Sequence, residues 1–577
     1  MFIVLFNYDM ISGDKIDIFL LSEENMAVQT TILSSLSKVI LDRITGVIPE
    51  NNVMTALKNE TVSYQVAYLS DEDLTSCIKV ASDYPDNVRI RTVEMVPVDF
   101  VARQSDYESD GKYLCTEPGL YPDILRDIKD KRITLKNAEY RTIWVDFEVD
   151  DKVKPGETEI AISLEDENGK VLSEAKQIIS VLDKTLPNGK LIHTQWFHSD
   201  CIADYYGIEV FSEDYWTAVE KFMLAAAKRG QNMILTPVFT PPLDTEVGGE
   251  RTTVQLVDVK CESKKWFFGY EKFERWIELS KKCGFEYFEM SHLFTQWGSV
   301  AAPKVMATVD GEYKRVFGWD TTVKEGKYTK FLRKFLPDFI QELKKLGILD
   351  KSYFHISDEP NTKNLKNYKR AKKSVCKYLK KLNVMDALSE YEFYKKKVAK
   401  LPIPATDRIH VFIDHNVPNL WSYYCCGQVH QSNIFIAMSQ ARTRAIGVQW
   451  FKYRIVGFLH WGYNYYNSLR SHTHIDPYKH TDGGDGGENP PCYPAGDPFV
   501  VYPGEGFEPE ESIRWMAFYE AQKDLRALTA LSEKTSYEHV MELVEGGLSY
   551  PITFNDYPMD DEYYLSLRNR VNEELAK

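Results

Sequence analysis

The spacing of apolar residues changes once along this chain, and that change limits the folds open to it. Up to about residue 185 the apolar residues alternate in short runs, at 62–68, 89–93, 141–147 and 158–162, separated by turns such as Val153-Lys154-Pro155-Gly156-Glu157. A period of two puts successive side chains on opposite faces of a strand, so this region is expected to form antiparallel sheets, most simply an all-β sandwich. Turn residues then crowd at Leu186-Pro187-Asn188-Gly189. Beyond them, apolar runs at 191–196, 233–237, 287–290, 353–357, 384–388, 410–413, 422–425 and 457–460 are interleaved with amphipathic helical stretches at 215–228, 272–282, 327–346 and 440–453. Eight strands with intervening helices predict an α/β chain whose second part is a (β/α)8 TIM-like barrel. At 577 residues the chain exceeds what one hydrophobic core sustains. The expected division is a β-sandwich domain at 1–185 and a barrel domain at 186–577. The latter carries a long Gly/Pro/Asp-rich loop at 471–511, of the kind that is disordered or acts as a lid, and a helical C-terminal extension starting near 513–531.

Charge and cysteine usage exclude several function classes. A net charge of −15 argues against nucleic acid or an anionic membrane as partner, since phosphate binding relies on clustered Lys and Arg. No stretch offers the roughly 18 uninterrupted apolar residues of a membrane span. Nine scattered cysteines without a Cys-x-x-Cys pair suit a reducing compartment better than a disulfide framework or a zinc site. The N-terminal Met1 to Met10 stretch is apolar but has neither a basic flank nor a small-residue cleavage site, so it is read as a first β-strand, with no signal peptide and a cytoplasmic location. Ten of eleven tryptophans follow residue 190; such rings fill cores, and they also stack on sugar faces.

Chemistry concentrates where the fourth apolar run stops. Tyr353-Phe354-His355-Ile356-Ser357 leads directly into Asp358-Glu359-Pro360. Pro360 lacks an N–H and ends the ladder where the two acids stand, and the C-terminal strand ends of a barrel are where its catalytic groups collect. Neighbouring carboxyls repel as anions, so one of them tends to keep its proton and can serve as a general acid; the plain alternative is a solvated turn. Polar and aromatic residues gather at two further strand ends, Ser291 to Gly298 and Gly457 to Asn467, and in Gly496 to Gly504. His472, His474 and His480 near Asp476 and Asp482 match no zinc or calcium spacing, so no metal and no organic cofactor are expected.

Taken together, Asp358-Glu359-Pro360, the run His292-Leu293-Phe294-Thr295-Gln296-Trp297-Gly298, the segment Gly457 to Asn467 with Trp461 and Tyr463-Asn464, and Gly496-Asp497-Pro498 with Tyr502-Pro503-Gly504 and Ser512-Ile513-Arg514-Trp515 resemble glycoside hydrolase family 123 over roughly residues 186–530. The resemblance implies an exo-acting β-N-acetylgalactosaminidase with a retaining, substrate-assisted mechanism. Its substrate would be an oligosaccharide ending in β-linked N-acetylgalactosamine, glycan- or glycosphingolipid-derived. It implies Asp358 and Glu359 as catalytic residues and directs sugar recognition to His292, Gln296, Trp297, Trp461, Tyr463 and Asn464. After Trp515 the family often continues with Arg-Asp-Gly and Glu-Asp-Tyr, where this chain has Met516-Ala517-Phe518-Tyr519-Glu520.

Adjacency of the two acids bears on mechanism by itself. An ordinary retaining glycosidase sets its nucleophile and acid about 5 Å apart across the scissile bond, which neighbours on one strand tip do not easily do. A substrate whose 2-acetamido oxygen attacks the anomeric carbon removes the difficulty. The alternatives are a β-N-acetylglucosaminidase or broad hexosaminidase using the same acids, a hydrolase indifferent to the acetamido group, and a non-catalytic carbohydrate-binding protein.

Overall fold

The computed structural model describes residues 28–46, 53–102 and 112–577; the expected first strand at Met1 to Met10 lies outside them. The N-terminal part is β-rich. A seven-stranded sheet runs in the order Val28–Ser34, Glu60–Ser70, Arg141–Val149, Val88–Val98, Gly119–Asp127, Pro509–Ser512 and Val501–Pro503, and a five-stranded sheet in the order Val53–Lys58, Val171–Thr185, Gly156–Glu165, Leu74–Ala81 and Arg132–Leu135. Alternation in the sequence explains their contact: Ile143, Val145, Phe147 and Val149 of one sheet share a core with Ile160, Ile162 and Leu164 of the other. Trp144 points the opposite way and packs with Val93, Leu125, Ile513 and Met516.

Eight parallel strands form a nearly closed barrel: β1 (Ile192–Gln195), β2 (Met233–Thr236), β3 (Tyr287–Met290), β4 (Ser352–Phe354), β5 (Asn383–Ala387), β6 (Leu401–Ile403), β7 (Trp421–Tyr424) and β8 (Gly457–His460). Their order is β6-β5-β4-β3-β2-β1-β8-β7, and a single parallel bridge from Ala405 to Tyr423 joins β6 to β7. Helices Glu213–Lys228, Glu271–Cys283, Lys327–Lys345 and Leu365–Leu379 lie between the strands. The stretch at 440–453 forms two helices, Gln440–Arg444 and Ile446–Tyr453.

The sixth strand is a correction. The run at 410–413 is helical, His410–Asp414, with Ile409 and Phe412 buried three residues apart, a helical spacing. Four apolar residues do not distinguish strand from helix by period. The true β6 contains Pro402, which a strand tolerates where its ladder is incomplete. A further four-stranded sheet, Asp258–Glu262, Lys265–Gly269, Val305–Val309 and Glu312–Phe317, is built from the connections after β2 and β3.

The segment at 471–511 is ordered, and its end returns to the N-terminal sheet, where Glu511 pairs with Leu125. Buried ion pairs fasten that return: Arg91 binds Asp146 and Glu511, and Arg229 binds Glu511 at 2.5 Å. Burial alone would raise the Glu511 pKa, but Arg229 and Arg91 outweigh it and hold the carboxyl well below its usual range. Helix Ile513–Lys534 follows at once.

Candidate active site

Strand β4 ends at Phe354, and the chain beyond it is held by groups from three neighbouring elements. The N–H groups of Ile356 and Ser357 donate to Asp386 Oδ1 at the end of β5, at 2.8 and 3.1 Å, and Tyr368 donates to Asp386 Oδ2 at 2.5 Å. Ser357 Oγ donates to the Thr295 carbonyl at 2.8 Å, and the Trp297 N–H donates to the Asp358 carbonyl at 2.9 Å. Glu359 itself has φ +39°, a left-handed backbone that a β-carbon disfavours and that surrounding contacts must enforce. The sequence places the acids at a strand tip, and these hydrogen bonds fix the direction in which each points.

The electrostatics favour a retained proton. Burial and the neighbouring Glu359 raise the Asp358 pKa well above the usual carboxyl value, with Asp386 and Asp244 adding to it and His355 opposing. Burial also raises Glu359; the Tyr423 hydroxyl opposes this, while Asp407 and Asp244 reinforce it. Tyr423, at the end of β7, donates to Glu359 Oε1 at 2.8 Å. Burial and the Glu359 charge keep this phenol protonated and therefore a donor. His355 lies 2.6 Å from Glu289 and 3.6 Å from Asp386. Burial disfavours its cation, but the two carboxylates prevail and push its pKa up to about 9. The pair Asp358/Glu359 is thus a coupled dyad that holds a proton at pH values where an isolated carboxyl has lost it.

A third acid is tied to the loop that carries the dyad: the Asp244 N–H donates to Gln296 Oε1 at 2.7 Å, and the N–H of the next residue, Trp297, donates to the Asp358 carbonyl. Asp244, in the connection after β2, contributes to the raised pKa of both acids. Its Oδ2 accepts hydrogen bonds from Tyr465 at 2.7 Å, from the Arg470 N–H at 3.1 Å, and from Tyr493. Trp461 stands beside both tyrosines, with ring centres 5.0 and 5.1 Å away. A proton-holding dyad flanked by carboxylate, phenols and indole has the composition of a sugar-cleaving site.

Comparison with known proteins agrees with that chemistry. The family model described as "Glycoside hydrolase 123, catalytic domain" matches residues 196–531. This chain belongs to glycoside hydrolase family 123. Among solved structures, a family 123 glycoside hydrolase from Clostridium perfringens, described in terms of glycolipid glycan hydrolysis, is similar with a TM-score of 0.69 at 13% identity, covering 95% of this chain and 98% of that one. A putative β-galactosidase from Bacteroides fragilis aligns at a TM-score of only 0.32 and 9% identity, over 85% of this chain and 62% of that one, too low to carry an argument. No curated protein matches the sequence.

Of the residues that the family 123 resemblance singles out, the structure gathers some and disperses others. Trp297 is beside Asp358, 41% exposed and with φ +53°, a ring free to meet a ligand. Trp461 is half-buried, its Nε1 donating to Asp497 at 2.9 Å. Gln296 acts on the Asp244 connection instead of facing outward: its Oε1 accepts the Asp244 N–H at 2.7 Å and its Nε2 donates to the Thr245 carbonyl at 3.1 Å. His292 is buried with its ring stacked 4.1 Å from that of His355. Burial and the His355 charge keep it neutral. Tyr463 lies in the core with its hydroxyl donating to the Phe222 carbonyl at 2.9 Å. Asn464 is spent on the His198 backbone, at 2.8 and 3.1 Å. Tyr463 and Asn464 therefore support the site from within and are not brought to the acids. Asp244, Asp386, Tyr423 and Tyr493 carry no local signal in the sequence, and Tyr465 stands in the Gly457 to Asn467 segment without being among its expected sugar-binding residues. The loop histidines have partners of their own, His472 with Glu246 at 2.7 Å and His474 with Asn467 at 2.6 Å. Among the described residues no group of three or more His, Cys, Asp or Glu is placed to hold a metal ion.

Proposed function

We propose that this family 123 member is a retaining exo-glycosidase that removes terminal β-linked N-acetylgalactosamine by substrate-assisted catalysis. The observation that carries this reading is the adjacency of Asp358 and Glu359 in the connection just after β4, where burial raises the pKa of both. In the first step the substrate's 2-acetamido oxygen attacks the anomeric carbon, while Glu359 protonates the leaving oxygen. With the dyad's single proton on Glu359, Asp358 is the anion that accepts the acetamido N–H and stabilises the oxazolinium cation. In the second step Glu359, now a carboxylate, takes a proton from water, which adds to the anomeric carbon and reopens the ring. Tyr423 is a positioning residue here, fixing the Glu359 carboxyl and setting its acidity through the 2.8 Å hydrogen bond. Trp297 and Trp461 supply aromatic faces for the pyranose.

A β-N-acetylglucosaminidase or broad hexosaminidase would use the same two acids, and the sugar panel below separates these readings. A cytoplasmic location is part of the proposal, supported by nine cysteines that are all free thiols.

The test is hydrolysis of chromogenic β-N-acetylgalactosaminide, β-N-acetylglucosaminide and β-galactoside by wild type and Glu359→Gln. Release from the first alone, reduced about 100-fold or more in the variant, is the expected result. Equal release from the plain galactoside would refute substrate assistance, and inertness on all three with sugar binding intact would point to a binding protein.

A further inference from the structure

Asp244 is held more elaborately than a loop residue needs to be. Its backbone is left-handed, φ +39°, its N–H is fixed by Gln296 at 2.7 Å, and its carbonyl accepts from Ser471 Oγ at 2.8 Å. Three donors, Tyr465, Tyr493 and the Arg470 N–H, converge on the single oxygen Oδ2. Strain of this kind is retained where surrounding structure over-determines it, most often at functional sites. A neutral amide oxygen would satisfy the same three donors. A carboxylate is instead placed one hydrogen-bonded step from the dyad, through Gln296 and the adjoining Trp297 N–H on the Asp358 carbonyl, where a further acid adds like-charge repulsion. Pinning the 470–493 segment to the barrel therefore does not explain why the group is an acid, whereas a hydroxyl-bearing ligand does: an ionised acceptor binds O–H donors about twice as strongly as a neutral one.

We infer that Asp244 is a substrate-binding residue whose Oδ1 accepts a hydrogen bond from a ring hydroxyl of the terminal sugar, on its 3-, 4- or 6-hydroxyl edge, with Tyr465 and Tyr493 holding Oδ2 and leaving Oδ1 for the sugar. The inference rests on the glycosidase reading above and adds to it the acceptor that reads the sugar's hydroxyls. The clamp also explains the position of Trp461, which stands against both tyrosines and so shares a wall with the acceptor.

The experiment is a cycle of Asp244→Asn against the aryl β-N-acetylgalactosaminide and its 3-, 4- and 6-deoxy analogues, with melting temperature followed in parallel. The variant should lose about 10- to 100-fold in kcat/KM on the parent glycoside, the range expected for a hydrogen bond to a charged acceptor. One deoxy analogue, poor for the wild type, should be no poorer for the variant, and the melting temperature should hold, because the asparagine oxygen still accepts from both tyrosines. Additive losses on all three analogues, or a lower melting temperature with unchanged hydroxyl dependence, would overturn the inference and leave Asp244 as a structural pin. A covalent sugar adduct on Asp244 would overturn it as well, by making the residue a nucleophile. If wild type fails on the parent glycoside, the glycosidase reading falls and this inference with it; if wild type succeeds and the cycle is additive, the inference falls alone. Should Asp244→Asn not fold, Tyr493→Phe loosens the clamp and should reduce kcat/KM more on the parent than on the sensitive deoxy analogue; an equal reduction on both would refute the assignment.

Discussion

Replacing Tyr423 by Phe removes one oxygen and thereby the hydroxyl that donates to Glu359 Oε1 at 2.8 Å. The hydroxyl's other contact among the described residues is a long one to Ser389 Oγ, 3.4 Å. The bond stabilises the Glu359 carboxylate, so its loss must raise the acid's pKa further. Hydrogen bonds to charged groups are worth about 1.5–3 kcal/mol, and about 1.4 kcal/mol corresponds to one pH unit. Glu359 is half-buried, which places the expected displacement near the lower end, at about one pH unit. The rate profile of kcat/KM against pH reports the dyad in the free enzyme, its alkaline limb marking loss of the proton that the general acid must deliver. Tyr423→Phe should therefore move that limb upward by about one unit, lower the maximal rate through poorer positioning of the carboxyl, and leave the melting temperature nearly unchanged. An alkaline limb that stays in place or moves to lower pH would refute the assignment of Glu359 as the acid and of Tyr423 as the group that tunes it.

The remaining expectations concern the supports of the site. Asp386→Ala removes the acceptor for the Ile356 and Ser357 N–H groups and for Tyr368; leaving buried donors unsatisfied should cost about 3 kcal/mol or more and lower kcat, measured by denaturant unfolding and by assay. His355 has its pKa raised from 6.5 to about 9; since the folded value is the higher, its contribution of about 3 kcal/mol is fully present below pH 6.5 and is lost as the pH rises through 9. Unfolding at pH 6 and pH 9.5 should show that loss, and a His355→Gln variant in which the loss persists would assign it elsewhere. Chelators should change neither rate nor melting temperature, and a clear fall in either would reopen a metal role for the segment carrying His472 and His474.

Much of the architecture was legible because it follows from period. The runs at 287–290 and 457–460 become β3 and β8 with the same bounds, and the strand tip that releases Asp358 and Glu359 follows from β-prone residues ending at a proline. Short apolar runs are ambiguous, which is why 410–413 became a helix and the brief Leu-Pro-Ile strand passed unnoticed. Pairing between distant segments leaves no local trace at all. Nothing in Pro509–Ser512 announces a partner at Gly119–Asp127, or in Glu511 a pair of buried arginines.

The same reasoning explains which parts of the site could be read. Aromatic and amide residues near the acids look alike in sequence whether they face a ligand or the core, and Tyr463 and Asn464 went to the core because Phe222 and His198 offer them backbone partners. Asp244 carried no such signature, standing in an ordinary Pro-Pro-Leu-Asp-Thr-Glu loop, yet it receives donors from residues more than 200 positions away. The sites of left-handed backbone at Asp244, Trp297 and Glu359 lie on three different connections, and hydrogen bonds run between those connections: from the Asp244 N–H to Gln296, and from the Trp297 N–H to the Asp358 carbonyl. The connections after β2, β3 and β4 thus lock one another, so a substitution at a residue that only links them, as Gln296 does, should displace the acids through its neighbours and not through lost contact with the sugar. Gln296→Ala tests this directly. It should lower kcat with little change in the hydroxyl dependence of the deoxy series, whereas selective loss of one hydroxyl's contribution would place Gln296 against the substrate after all.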